Sequence, residues 1–205
     1  MKAQRPKHGN SSSSCSRVPL GGPGGIGRSL ICIVIGLFLF ALSSQAPGQS
    51  EENNEYRLKL AFLYNFARFV QWPPDTFRDS GSPLTICVAG ENPFQGEIAK
   101  SLRGRTVGGH PLEVRTLSWG ESPHACQMIF VRATEVKAAA RILASSKGSS
   151  TLTVGEAKGF AERGGIINLT RDENKLRFEV NIDAAAQTRL KISSKLLALA
   201  KIVKE

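Results

Sequence analysis

Alternation of short strands with helices is the feature that most constrains the fold of this chain. An apolar, β-rich run at 84–89 is bounded by Pro83 and Gly90, as is typical of a buried strand. Further strands are predicted at 112–117, 127–131, 151–154, 165–169 and 175–181, and helices at 93–102 and 134–145. A polar turn at 170–174 joins the last two strands. This order predicts an α/β fold class: a single domain with a Rossmann-like, mostly parallel sheet flanked by helices and at least one antiparallel hairpin.

A long helix is predicted at 55–70, and Trp72-Pro73-Pro74 ends it because proline cannot continue the helical hydrogen bonding. Its apolar residues form two lines, which is wider than one core-facing stripe. The lines are Tyr56, Leu60, Leu63, Ala67 and Val70, and Leu58, Phe62, Phe66 and Phe69. We expect burial on more than one side, so Phe62, Phe66 and Phe69 are candidate residues for binding a partner or a ligand, with a homodimer as one such contact. The alternative is that these aromatic rings belong to the core.

The C-terminal region is predicted to be helical. Asp183 is placed to cap this region, and its apolar stripe consists of Ile192, Leu196, Leu199 and Val203.

The first 46 residues have the pattern of a secretory signal peptide. A basic segment precedes an apolar run at 30–42, and Ser44 and Ala46 supply the small residues of a cleavage site. The run is shorter than the roughly 20 apolar residues of a membrane span; an uncleaved anchor is the alternative. We therefore divide the chain into a signal peptide at 1–46, a flexible N-terminal segment at 47–54 and an α/β domain at 55–205. The localisation predicted is periplasmic, without stable membrane insertion after cleavage.

Charge argues against a nucleic-acid partner. The chain has 27 basic and 17 acidic residues, and five of the basic residues fall in the leader. The remainder carries 22 − 17 = +5, spread along the chain, whereas a nucleic-acid surface needs clustered Lys and Arg. The glycine-rich segment at 21–27 follows no strand and lacks the Gly-Lys-Ser/Thr ending of a phosphate-binding loop.

The four cysteines reduce to one pair after export. Cys15 and Cys32 lie in the leader, so Cys87 and Cys126 remain, and an isolated pair in an oxidising compartment is usually a disulfide. A metal site that adds His110 and His124 is the alternative, but the spacing has no CxxC or HxxxH unit. We predict no metal and no cofactor.

No enzyme motif is present in the sequence: it has no G-x-S-x-G, no H-E-x-x-H and no P-loop. A His124/Cys126 nucleophile pair is conceivable, but the disulfide is the better use of Cys126. We predict that the chain is not an enzyme and has no catalytic residues.

Two segments hold the remaining candidate residues for recognition of a partner or ligand. Glu156, Lys158 and Arg163 lie in the glycine-rich segment 153–165 and are expected to be exposed; the alternative is an ordinary turn. Arg177 and Glu179 share one face of the strand at 175–181, where Asn181 follows them; the alternative is an ordinary solvated face.

The sequence resembles the YfiR-like family of periplasmic proteins over nearly all of the chain after the leader. The segments that carry the resemblance are LKLAFLYNFARFVQWP (58–73), LTICVAGENPF (84–94), CQMIFV (126–131), TLTVGEAKGFAERGGIINLT (151–170) and LRFEVNIDAAAQTRLKISSKLLALA (176–200). The resemblance implies a repressor that binds the periplasmic sensory domain of an inner-membrane diguanylate cyclase, with disulfide redox state tuning the repression. Some members carry a second cysteine pair; here no cysteine follows Cys126.

Two functions are therefore open. The first is an inhibitory module that binds the cyclase or another membrane sensor and is redox-tuned through Cys87 and Cys126. The second is a periplasmic small-molecule-binding module that serves a sensor or transport system.

Overall fold

A computed structural model describes residues 48–118, 121–173 and 175–204 of the chain. The signal peptide predicted at 1–46 lies outside these residues. The helices are α1 (Gly48–Phe69), α2 (Glu97–Lys100), α3 (Val136–Ser146), α4 (Ile182–Ala186) and α5 (Ser194–Leu197). The strands are β1 (Val70–Gln71), β2 (Leu84–Ala89), β3 (Thr106–Val107), β4 (His110–Leu117), β5 (Met128–Val131), β6 (Leu152–Gly155), β7 (Ile167–Asp172), β8 (Lys175–Asn181), β9 (Lys191–Ile192) and β10 (Lys201–Val203).

Within the described residues, the central sheet has the strand order β10-β8-β7-β6-β5-β2-β4-β3. Strands β4, β2, β5, β6 and β7 are parallel to their neighbours in that row, and β10 is parallel to β8. The β7–β8 hairpin is antiparallel, as is the β3–β4 pair. The prediction of a mostly parallel α/β sheet with an antiparallel hairpin is confirmed.

The sheet separates two apolar cores. Along β2, Ile86 and Val88 face α1, whereas Cys87 and Ala89 face α3. All six residues of β2 are buried, which is typical of a parallel strand covered by helices on both faces. The alternation of side chains along one strand thus places the cysteine pair on the α3 face and the long helix on the other.

The N-terminal half differs from the sequence expectation at two places. Helix α1 begins at Gly48, so residues 48–54, which we expected to be flexible, are helical. The helix predicted at 93–102 is observed only as the shorter α2, because Gly96, inside the predicted range, adopts a left-handed backbone conformation (φ 59°). Before α2, the Asn92 side-chain oxygen accepts a hydrogen bond from the Phe94 backbone N–H at 2.9 Å.

The continuous helical region predicted after Asp183 is wrong. Asn181, not Asp183, caps α4, and only Leu196 of the expected stripe is buried in a helix. Ile192 pairs with Val70 as part of the separate β1–β9 pair, and Val203 lies on β10 beside β8. The β-branched residues satisfy their backbone groups across strands, which a helical periodicity does not anticipate.

Phe160 explains why Gly155 and Gly165 are glycines. A Cβ atom added at Gly155 would lie 2.3 Å from the Phe160 ring, and one added at Gly165 would lie 2.2 Å from it.

Gly165→Ala is expected to cost about 2 kcal/mol of stability, because Phe160 is completely buried and has to be displaced. Urea denaturation measures the loss. Gly81→Ala is the matched control, since its Cβ meets only Asp79 at 3.4 Å; equal effects would contradict the packing argument.

Candidate functional site

Charged side chains gather where the parallel strands end. Arg132 follows β5 and Glu156 follows β6. Tyr56 of α1 contacts both of them, Lys59 contacts Glu156, and Glu55 contacts Lys59. We call these five residues the carboxyl-edge cluster. Ligands of open α/β sheets bind outside the carboxyl ends of the strands, so this edge is the first place to examine.

Lys59 and Glu156 form the centre of the cluster. Lys59 Nζ lies 2.5 Å from Glu156 Oε2 and 2.6 Å from Glu55 Oε1. The Lys59 and Glu156 side chains are only 8% and 9% exposed. The other Glu156 oxygen accepts a hydrogen bond from the Ala133 backbone N–H at 3.2 Å. The pair therefore fastens α1 to the loops that follow β5 and β6.

Arg132 extends the cluster toward solvent. Its Nη2 donates to Tyr56 Oη at 3.1 Å, and its Nη1 lies 3.3 Å from Glu91 Oε2. The guanidinium carbon is 5.4 Å from the centre of the Tyr56 ring, which adds a cation–π contact. Tyr56 is thus held between two cations, because Lys59 Nζ is also 4.5 Å from its ring centre.

The pKa shifts of Lys59 and Glu55 favour their charged forms. Burial by itself would lower the pKa of Lys59, but hydrogen bonds to Glu156 and Glu55 outweigh it and raise that pKa. The hydrogen bond from Lys59 lowers the pKa of Glu55. A general acid or base needs a pKa near the working pH, and these shifts move away from it. The arrangement is suited to holding α1 in place.

The loop after β6 separates the residues expected there. Lys158 and Arg163 are exposed, and Arg163 Nη1 donates to the Lys158 carbonyl at 2.9 Å. Glu156 is not exposed as we expected, because its carboxylate belongs to the carboxyl-edge cluster. Only Lys158 and Arg163 of these three candidates are available to a partner.

The polar row of β8 is mostly covered. Glu179 is buried; it accepts a hydrogen bond from Asn168 Nδ2 at 3.3 Å and from Lys201 Nζ at 2.9 Å. Asn181 is completely buried and donates to the Ala161 carbonyl at 2.8 Å. The prediction of a solvated face is therefore wrong for Glu179 and Asn181, since β10 and the loop before β7 pack over them. Arg177 alone of the row is exposed.

The aromatic residues of α1 differ in exposure. Phe66 is completely buried, with its ring centre 5.1 Å from that of Phe178, so its assignment as a partner-facing residue is wrong. Phe62 and Phe69 are half-buried at the edge of the core. Leu58, which we placed on the same line but did not select, is 48% exposed. We call Leu58, Phe62 and Phe69 the α1 apolar stripe.

The structure joins Cys87 and Cys126 in a disulfide with a Cα–Cα distance of 5.8 Å. Cys87 lies on β2 and Cys126 comes just before β5, the neighbouring strand. Both residues are buried against α3. His110, one of the two histidines in the metal alternative, stacks on Phe77 and shares a 2.8 Å hydrogen bond with the Ser82 carbonyl. Across the described ranges no group of three His, Cys, Asp or Glu side chains could hold a metal ion.

Two further findings bear on function. None of the helices in the described part of the chain is both long and apolar enough to cross a membrane. The model of the family described as YfiR/HmsC-like matches residues 56–201, from the carboxyl-edge cluster on α1 to the start of β10. No match to the chain is found among curated proteins.

Proposed function

The chain belongs to the YfiR/HmsC-like family, a family of periplasmic, non-catalytic regulators of diguanylate cyclases, and we propose that it represses one such cyclase by binding its periplasmic sensory domain. The same proposal includes export through a cleavable signal peptide at 1–46. The observation that carries it is the family match over 56–201, which takes in most of α1, the disulfide and strands β1 to β9.

The α1 apolar stripe is the surface we assign to the cyclase. Leu58, Phe62 and Phe69 follow one line of the helix, and the exposed Arg57 and Arg68 flank them. Protein interfaces combine an apolar, aromatic centre with a polar rim. Because the Lys59–Glu156 pair fastens α1 to the sheet, the stripe is a rigid surface whose binding costs little conformational entropy.

The redox part of the proposal concerns Cys87 and Cys126. Both cysteines are buried, so a reductant has to open the α3 face before it reaches the sulfur atoms. In this proposal the bond tunes repression through the stability of the domain. Capture of the cyclase is expected to weaken with reductant only under conditions in which the reduced domain loses its fold.

Leu58→Asp is expected to weaken capture of the cyclase's periplasmic domain by more than about tenfold, because a desolvated aspartate at the centre of an interface costs about 2 kcal/mol or more. Binding is measured by pull-down from solubilised inner membrane and by titration with the isolated sensory domain. Val136→Asp is the matched control: Val136 is 64% exposed on α3, across the sheet. It is expected to bind as the wild type does.

Two results would contradict the proposal at different levels. Equal effects of the two aspartates, with cyclase still captured by the wild type, would reject the stripe and keep the regulator. Unchanged cyclic-di-GMP after deletion of the gene, with no cyclase recovered by crosslinking, would reject repression of a cyclase itself.

A further inference from the structure

A cavity of about 280 Å³ opens on the α3 face of the sheet. It lies at the carboxyl ends of β2 and β4, between α3 and the described residues Leu117, Ser118 and Glu121 to Pro123. The carboxyl-edge cluster and the α1 apolar stripe are on the other side of the sheet. The cavity is therefore separate from the surface assigned to the cyclase.

The floor of the cavity is apolar. Ala89 and Leu117 come from the ends of the two strands, and Ala138 and Ile142 come from one face of α3. All four side chains are buried. An apolar floor at the carboxyl ends of parallel strands is where small ligands of α/β proteins bind. The cavity volume is just below the ~300–1,000 Å³ that is usual for drug-sized ligands, so a ligand that fits this cavity has to be small.

Arg141 supplies a positive charge at the rim of the cavity that no described carboxylate neutralises. Arg141 lies on the same face of α3 and is exposed, and no carboxylate of the described residues pairs with its guanidinium. The acid at the rim, Glu121, is already held by Arg115 Nη1 at 2.5 Å and by the Ser118 backbone N–H at 3.1 Å. The cavity thus combines an apolar floor with a guanidinium that is paired with no carboxylate in the described part of the chain.

Two hydroxyl groups of the lining have partners within the protein. Ser145 Oγ donates to the Ile142 carbonyl at 3.0 Å, and Ser122 Oγ accepts from the His124 backbone N–H at 3.4 Å. The positive charge that attracts an anion to this cavity comes from Arg141, the one cationic side chain among the described lining residues.

The wall opposite α3 is held in place by the disulfide. Pro123 begins a short 3₁₀ turn that ends at Cys126, and Cys126 is bonded to Cys87 at the core of the sheet. Arg115, which holds Glu121, also lies 3.7 Å from Cys126 Sγ. The cavity is formed before any ligand arrives, which reduces the entropic cost of binding.

We propose that this cavity binds a small organic anion, whose apolar body lies on Ala89, Leu117, Ala138 and Ile142 and whose carboxylate pairs with Arg141. Guanidinium groups bind carboxylates through two parallel hydrogen bonds. The ligand acts independently of the cyclase contact, so this inference stands or falls separately from the proposed function.

The experiment titrates the oxidised protein, purified from the periplasm, with phenylacetate, benzoate and hexanoate by calorimetry and by NMR. At least one anion is expected to bind and to shift the Leu117 and Ala138 signals. The neutral amide of that anion is expected to bind at least about tenfold more weakly, because it has no charge to pair with the guanidinium. The anion is expected to bind to Arg141→Gln more weakly by at least about the same factor, because the charge-assisted hydrogen bond is lost. Arg103→Gln, which removes an exposed charge elsewhere, is expected to bind as the wild type does.

A second variant tests the floor of the cavity. Ala138→Phe fills the space above β2 and is expected to abolish binding, with circular dichroism reporting that the fold is kept. Arg141→Gln alters only an exposed side chain, so it remains decisive if Ala138→Phe does not fold. The proposal is overturned if none of the three anions binds at millimolar concentration. It is also overturned if the wild type binds the amide as tightly as the anion and Arg141→Gln binds the anion as tightly as the wild type does.

Discussion

Replacing both Cys87 and Cys126 with alanine is expected to lower the free energy of unfolding by about 4 kcal/mol. The bond closes a loop with a sequence separation of 39, and the chain-entropy relation gives that value for a loop of this length. Alanine is preferred to serine because both sites are buried, where an unpaired hydroxyl would add its own cost. Domains of this size are stable by only ~5–15 kcal/mol, so the loss removes a large share of the total.

Denaturation in urea measures this effect on three samples: the oxidised wild type, the reduced wild type and the double alanine variant. The reduced wild type is expected to approach the variant, and reductant is expected to leave the variant unchanged. A loss below about 1 kcal/mol would show that the bond contributes little to the fold. It would also remove the physical basis that we give for redox tuning.

Glu156→Ala is expected to cost about 3 kcal/mol, because it leaves the buried Lys59 ammonium without its main partner and the Ala133 backbone N–H without an acceptor. The double variant Lys59→Met/Glu156→Leu is expected to recover most of that loss, since it removes both charges together. Thermal and urea denaturation of Lys59→Met, Glu156→Leu and the double variant gives the coupling energy. Additive losses would mean that the two residues do not act as a pair.

Asp75→Asn supplies the matched control for the ion pair. Asp75 lies 2.7 Å from Arg189, but both side chains are more than half exposed, so the change is expected to leave the free energy of unfolding nearly unchanged. A loss equal to that of Glu156→Ala would show that burial does not govern these ion pairs.

The pH dependence of the same pair has a definite sign. Because the folded pKa of Lys59 is raised above its ordinary value of 10.5, its contribution is fully present below that value. The contribution is lost as the pH rises through the higher folded pKa. The stability difference between the wild type and Lys59→Met is therefore expected to shrink in strongly alkaline solution. Glu55, whose pKa is lowered, loses its contribution as the pH falls.

Much of the fold follows from local sequence patterns. The strand at 84–89 was predicted with the bounds that the structure has, because Pro83 and Gly90 stop it and its apolar residues fit only a buried strand. The strand at 175–181 was also predicted with its observed bounds. The Cys87–Cys126 pairing was predicted without knowledge of the geometry, since these are the two cysteines after residue 46.

Burial of polar residues could not be predicted in this way. Glu179 and Asn181 alternate with Phe178 and Val180 as on a strand with one solvated face, and nothing local indicates that β10 and the Ala161 loop cover them. Lys59 and Glu156 are separated by 97 residues, and each by itself has the pattern of a solvated charge. Their pairing depends on how α1 crosses the end of the sheet.

The C-terminal region shows the same division most clearly. Residues 192–203 have helical periodicity, yet the Ser193 backbone N–H donates to the Phe69 carbonyl and Ile192 pairs with Val70. Sequence by itself determined the elements whose signals are contained within one segment, the buried strands and the long helix, and it indicated the Cys87–Cys126 disulfide. Tertiary structure alone decided which surfaces stay exposed, how the charges pair and where the cavity lies, because these depend on segments far apart in the chain that meet only after folding.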